Sequence, residues 1–107
     1  MGKIDIVSFG SLYFNLTIPM LSCSTAKSTT EKTVSDANIN FGANLVAGTQ
    51  VLLKLVKGNS ASSPTLNING SGAKSILGYG SGRPNQYSTA NSIMHLVYDG
   101  TSWYIVG

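Results

Sequence analysis

The side chains able to do chemistry are few and scattered: one histidine, His95, one cysteine, Cys23, one arginine, Arg83, and four acids, Asp5, Glu31, Asp36 and Asp99. A general base needs an orienting partner and a substrate proton within reach, and neither is visible in the sequence around His95. It alternates with Ile93 and Val97 in a strand-like segment, which predicts a hydrogen-bonded, inward-facing histidine. Cys23 falls in a loop at the end of a strand, and a Cys23–His95 nucleophile–base pair would lack a third member to orient it. Any two acids could converge for glycoside hydrolysis, which asks only for a suitable separation, but Asp99 is already accounted for by a turn. A lone cysteine excludes four-cysteine zinc binding and a disulfide scaffold, and no Asp-x-Asp-x-Asp-Gly calcium loop occurs. The expectation is a chain that is not an enzyme and carries no cofactor and no metal.

Gly78, Gly80 and Gly82 precede Arg83, a composition that brings a phosphate cradle to mind. Such a cradle needs a helix opening after it, and the 84–87 run Pro-Asn-Gln-Tyr opens none. A loop is the better reading, and Tyr79 and Tyr87 flank the arginine within it. A flat ring stacks on the C–H face of a sugar while Asn and Ser bond its hydroxyls, so Tyr79, Arg83 and Tyr87 are the candidate ligand contacts. Trp103 shares its face with Ile105 and is assigned to the core.

The elements that would position these residues follow from period-two alternation. Leu12, Phe14, Leu16 and Ile18 alternate with Tyr13, Asn15 and Thr17, the signature of a half-buried strand that Pro19 ends. Residues 3–9 form a shorter strand across Gly10-Ser11, which reads as a hairpin turn. Residues 22–32 show no hydrophobic period and read as a polar connection. Strands are expected near 33–35 and 38–41. Residues 49–57, apolar on both faces, are expected to form a central strand, followed by a loop over 58–64. A strand over 65–69 turning at Asn69-Gly70, a short one at 74–77 and a loop over 78–85 come next. The strongest signal is the last: 92–98 and 102–106, joined through Asp99-Gly100-Thr101, form a hairpin whose Asp-Gly tolerates positive φ. Eight or nine short strands at about ten-residue spacing predict an all-β fold, a small antiparallel β-sandwich of jelly-roll type or a barrel.

Composition sets the surface. Only 10% of the 107 residues are charged, against about 25% in an ordinary soluble protein. Fifteen Ser, nine Thr, nine Asn and twelve Gly supply the polarity instead. The net charge of +3 is spread over scattered bases, with no basic run to track a phosphate backbone, so no nucleic-acid partner is expected. The 20–23 run Met-Leu-Ser-Cys loosely matches a lipoprotein cleavage site, but Asp5, Asn15 and Pro19 interrupt the apolar region it would need. No apolar stretch approaches the about 18 residues of a membrane-spanning helix, so no membrane insertion is expected.

Several stretches carry a family resemblance: Cys-Ser-Thr-Ala at 23–26, Lys-Thr-Val at 32–34, Leu-Val-Ala-Gly at 45–48, Asn-Ser-Ala-Ser-Ser-Pro-Thr-Leu-Asn-Ile-Asn-Gly-Ser-Gly-Ala-Lys at 59–74, and Leu-Val-Tyr-Asp-Gly-Thr-Ser-Trp-Tyr-Ile-Val-Gly at 96–107. Together they resemble a small domain of bacteriophage tail, baseplate and tail-fibre proteins, over residues 23–107. The resemblance implies a virion component without enzymatic activity that assembles with copies of itself and with other virion proteins and faces the host surface, where a cell-surface glycan is one partner to expect. A trimer is the natural guess for a tail tip or fibre. Residues 1–22 would then be an N-terminal hairpin serving as a docking or assembly segment, added to a neighbouring sheet edge. A carbohydrate-binding receptor module and a capsid decoration protein are the alternatives.

Overall fold

The computed structural model describes residues 18–37, 39, 45–78 and 87–106. Among them are seven strands and no α-helix: β1 Met20–Cys23, β2 Glu31–Val34, β3 Gln50–Leu55, β4 Thr65–Ile68, β5 Lys74–Leu77, β6 Ser92–Tyr98 and β7 Trp103–Ile105. The expected strands at 3–9 and 12–18 and the turn at Gly10-Ser11 lie outside the described residues, Ile18 excepted. In every strand buried positions alternate with more exposed ones, with Lys74 and Ser92 half-buried at the starts of β5 and β6, so each element is amphipathic with period two.

The strands make one nearly closed, barrel-like sheet in the order β1-β3-β6-β7-β5-β4-β2. Consecutive strands run in opposite directions, yet neighbours in the sheet are mostly not consecutive. β1 therefore pairs β3 in parallel, as β2 does β4 and β5 does β7. The expectation of a purely antiparallel arrangement is corrected accordingly: β3–β6, β4–β5 and β6–β7 alone are antiparallel. Seven strands stand among the described residues where eight or nine were expected.

One core fills the interior. Leu21, Cys23, Val34, Val51, Leu53, Leu55, Leu66, Ile68, Ile76, Met94, Leu96, Tyr98, Trp103 and Ile105 form a single buried cluster drawn from all seven strands. Each fully buried aliphatic side chain contributes about 1.5–3 kcal/mol. Trp103 is its largest member, and its ring lies 5.1 Å from that of Tyr98 at a 46° tilt. The Tyr98 hydroxyl keeps its hydrogen bond by donating to Gly100 O at 3.0 Å.

Two expectations are revised at the start of the described chain. The polar connection assigned to 22–32 is shorter, because β1 runs to Cys23 and β2 starts at Glu31. Leu21 and Cys23 face inward around Ser22, and cysteine there behaves as a small apolar residue. In the 38–41 segment expected to be a strand, Ile39 is described. It closes a turn instead, donating its N–H to Asp36 O at 3.1 Å.

The sheet edges, β1 and β2, approach each other to close the barrel. Thr30 O and Val34 O accept from Thr65 N and Asn69 N of the β4 side, so the odd-numbered N–H groups of β2 face the open edge. There the Thr33 N–H donates to Thr25 Oγ1 at 3.0 Å. A side-chain hydroxyl thus takes the place of a ladder carbonyl at the seam.

Gly58 fixes how the β3–β4 connection meets the chain entering β6. Its φ is +73°, and a Cβ there would sit 2.3 Å from Ser88 O. Gly48, with φ +96°, has open space where its Cβ would go. Gly58→Ala is therefore expected to lower stability by about 2–3 kcal/mol and Gly48→Ala by only about 1 kcal/mol. Equal losses in chemical denaturation would show that the close approach to Ser88 is not made.

Candidate functional site

The alternating strand directions send the connections to two ends. Among the described residues, 24–30, 56–64, 78 and 87–91 lie at one end, and 35–37, 39, 45–49, 69–73 and 99–102 at the other. Lys27 and Lys57 are exposed at the first end and Asp36 and Asp99 stand at the second, so the ends differ in charge, with Glu31 at the first and Lys74 at the second tempering the difference.

The second end holds an open cleft of about 600 Å³ lined by Ser35, Asp36, Ala37, Ile39 and Asn69. Asn69 builds it. The β4–β5 turn places Asn69 at φ 53° and Gly70 at φ 75°, the left-handed conformations that Asn and Gly tolerate best. From there the Asn69 amide reaches across to the segment after β2. Its Oδ1 accepts from Asp36 N at 2.8 Å, and its Nδ2 donates to Asp36 O at 3.0 Å and to Ile39 O. One side chain therefore holds two loops in register and forms the cleft floor. The walls offer a carboxylate, a hydroxyl and two apolar side chains, a set suited to adsorbing a polar ligand with an apolar face.

At the first end, β2 places Lys32 on its inward face, where the alternation calls for an apolar residue. It is fully buried. Its stem lines the core and its ammonium donates to Ala26 O at 3.1 Å and Lys27 O at 3.0 Å, tying the 24–30 loop over the barrel end. Burial pushes its pKa below the usual 10.5, with the nearby Cys23 pulling the other way. Cys23 is the last residue of β1 and is buried in the core, a correction to its placement in a loop, and its thiol donates to Thr25 Oγ1 at 3.3 Å.

His95 is corrected in orientation. The inward positions of β6 are Met94, Leu96 and Tyr98, so His95 faces outward, half-buried, with Nε2 2.8 Å from Gln50 Oε1. The expectation of a hydrogen-bonded histidine holds, and that of an inward one does not. Cys23 and His95 thus lie on opposite faces of the sheet and are not brought together. Asp99 caps its own turn: its Oδ1 accepts from Ser102 N and Thr101 N, both at 2.8 Å, which holds its carboxyl below the usual range. No group of three or more His, Cys, Asp or Glu able to hold a metal ion occurs among the described residues.

Of the candidate ligand contacts, Tyr79 and Arg83 lie outside the described residues. Tyr87 is half-buried at the first end, packs against the core and accepts from Asn59 N on its carbonyl at 2.9 Å. The cleft at the opposite end was not anticipated from sequence. Its one signal was Asn69-Gly70, read as a turn without its reach to Asp36. Comparisons of the chain with family models, with curated proteins and with solved structures find no match.

Two outcomes test these anchors. Asn69→Ala removes three hydrogen bonds and a favourable left-handed residue, and is expected to cost about 2–3 kcal/mol. Asn69→Gly should recover only the backbone part, and a Gly variant as stable as wild type in urea titration would contradict the bracing role. Lys32→Met removes two hydrogen bonds to the Ala26 and Lys27 carbonyls, which keep those from Thr29 N and Ser60 N, for a loss of about 1–3 kcal/mol at neutral pH. Between the lowered folded-state pKa and 10.5 the unfolded chain binds more protons than the folded one at Lys32, so wild-type stability rises with pH there. The stability gap to Lys32→Met should widen as pH rises through that window, and a gap that narrows would contradict a desolvated ammonium.

Proposed function

We propose that the chain is a non-catalytic structural module of a bacteriophage tail or baseplate, a virion component that assembles with copies of itself and with other virion proteins and contributes to host-surface attachment. On this reading the complete domain is a small barrel and not a jelly-roll sandwich, consistent with one sheet wrapped on one core.

The observation that carries the reading is the division of labour in the molecule. The stretches that resemble tail and baseplate domains supply part of the core, among it Leu66, Ile68, Leu96, Trp103 and Ile105, while Leu21, Val51, Leu53, Leu55, Ile76 and Met94 lie outside them. The exterior carries mostly uncharged polar groups, a few scattered charges and exposed apolar side chains on one side, which suits contact with other surfaces.

A second reading, a carbohydrate-binding receptor module, is favoured by the cleft at Ser35, Asp36, Ala37, Ile39 and Asn69. The side chains of Ser35 and Asp36 would bond sugar hydroxyls, and Ala37 and Ile39 would meet an apolar ring face. Tyr79, Arg83 and Tyr87 remain proposed contacts, of which Tyr87 is described and stands at the other end.

Locating the chain in purified particles by electron microscopy with a specific label tests the first reading. Label on the tail or baseplate is the expected result. Label on the capsid, as for a decoration protein, or its absence from particles would overturn it. Glycan-array binding lost on Asp36→Ala would establish the second reading, and silence across host wall polysaccharides would remove it.

A further inference from the structure

The barrel exterior has two unlike sides. On the side made by β2 and β4, with the adjoining half of β5, the outward residues are Glu31, Thr33, Thr65, Asn67 and Ser75. All are polar, and Asn67 Nδ2 donates to Glu31 Oε2 at 3.0 Å. The side made by β1, β3, β6, β7 and the end of β5 is different. Register places Met20 beside Leu52 and Leu52 beside His95, while Val106 N donates to His95 O at 2.9 Å. The next row runs Gln50, Val97, Tyr104, Leu77. Ile93 lies above them beside Lys54, the one ionised side chain among these outward positions.

These residues stay exposed in the single chain: Met20 51%, Ile93 43%, Leu77 40%, Tyr104 37% and Val106 37%. With the half-buried Leu52, His95 and Val97 they make a continuous strip across five strands. Its accessible area, with the polar His95 included, is roughly 400–500 Å², within the range of the largest patch on an ordinary monomer.

We propose that this face is the surface on which a second copy of the chain docks, by a two-fold pairing that lays β6 of one copy against β6 of the other. The proposal rests on the reading of the chain as an assembling module and names the surface that reading leaves open. Area supports it. If a strip of roughly 450 Å² is the apolar core of an interface about 65% apolar, the full footprint is about 700 Å² per copy, close to the roughly 800 Å² per partner of a stable pair. Symmetry supports a pair over the trimer expected from the resemblance. A closed trimer needs two different complementary patches per copy, whereas an isologous pair needs one, and the described exterior offers one such strip facing a polar side. Charge agrees: a partner rich in acids or bases would find only Lys54 to answer it.

Sedimentation equilibrium of the full chain over a micromolar concentration range tests the proposal. The expected result is a reversible dimer whose dissociation constant rises about tenfold or more in Ile93→Lys and Tyr104→Lys, with Thr33→Lys on the polar side unchanged. Val106→Lys, placed just beyond β7, probes the same face with little risk to the barrel, and circular dichroism with a thermal midpoint certifies each variant as folded. A chain that stays monomeric, or that forms a trimer, overturns the proposal. So does a dimer insensitive to all three face variants, which would leave the assembling-module reading standing with its interface elsewhere. Failure of the reading itself would appear separately, as absence of the chain from tail or baseplate.

Discussion

Among the described residues seven short strands share a single interior, and that constraint determines the rest. No strand exceeds seven residues, so none can bury much alone. Stability comes from wrapping all their apolar faces around Trp103 and its neighbours. A sheet curled that far brings β1 and β2 together as its last two edges, and a bare edge is a liability in water. The seam is closed without a regular ladder: Thr25 supplies an acceptor for Thr33 N–H, and the buried Lys32 fastens the connecting loop over the barrel end.

Once the interior is committed to packing, what remains for contact is confined to the two ends and the outer wall. Among the described residues the ends carry the connections between strands and differ in charge. At the second end Asn69 braces the chain after β2 against the β4–β5 turn and Asp99 braces the last hairpin. The wall divides into a polar side on β2 and β4 and an apolar side centred on β6. A surface of this kind suits the adhesion and assembly proposed above, and the titratable groups are engaged elsewhere: Lys32 bonds two carbonyls, Asp99 two amides, and His95 Gln50.

Much of this was legible in the sequence because period-two alternation maps directly onto faces. The Asp99-Gly100 hairpin, the Asn69-Gly70 turn, Trp103 in the core and the strands at 74–77 and 92–98 follow from local chemistry alone. What local chemistry could not give was pairing. Antiparallel neighbours were expected because consecutive strands usually pair, and three parallel pairings arose because the chain skips to every second strand on closing. His95 shared a face with Ile93 and Val97 as expected, but that face proved to be the outer one. Alternation fixes which residues go together and not which side they take, and Met94 and Leu96 won the interior. β1 was hidden by its brevity and its serine-rich sequel. The cleft was invisible because it depends on an amide bridging residues 33 positions apart.

The account turns on one cooperative core enclosed by one sheet, and native-state amide hydrogen exchange followed by NMR tests that most directly. It predicts that Leu53, Leu66, Ile68, Met94, Leu96 and Ile105 share one opening free energy, equal to that of global unfolding. A lower and separate opening free energy for β2, β4 and β5 would contradict it, because those strands would then form a second body packed on the first.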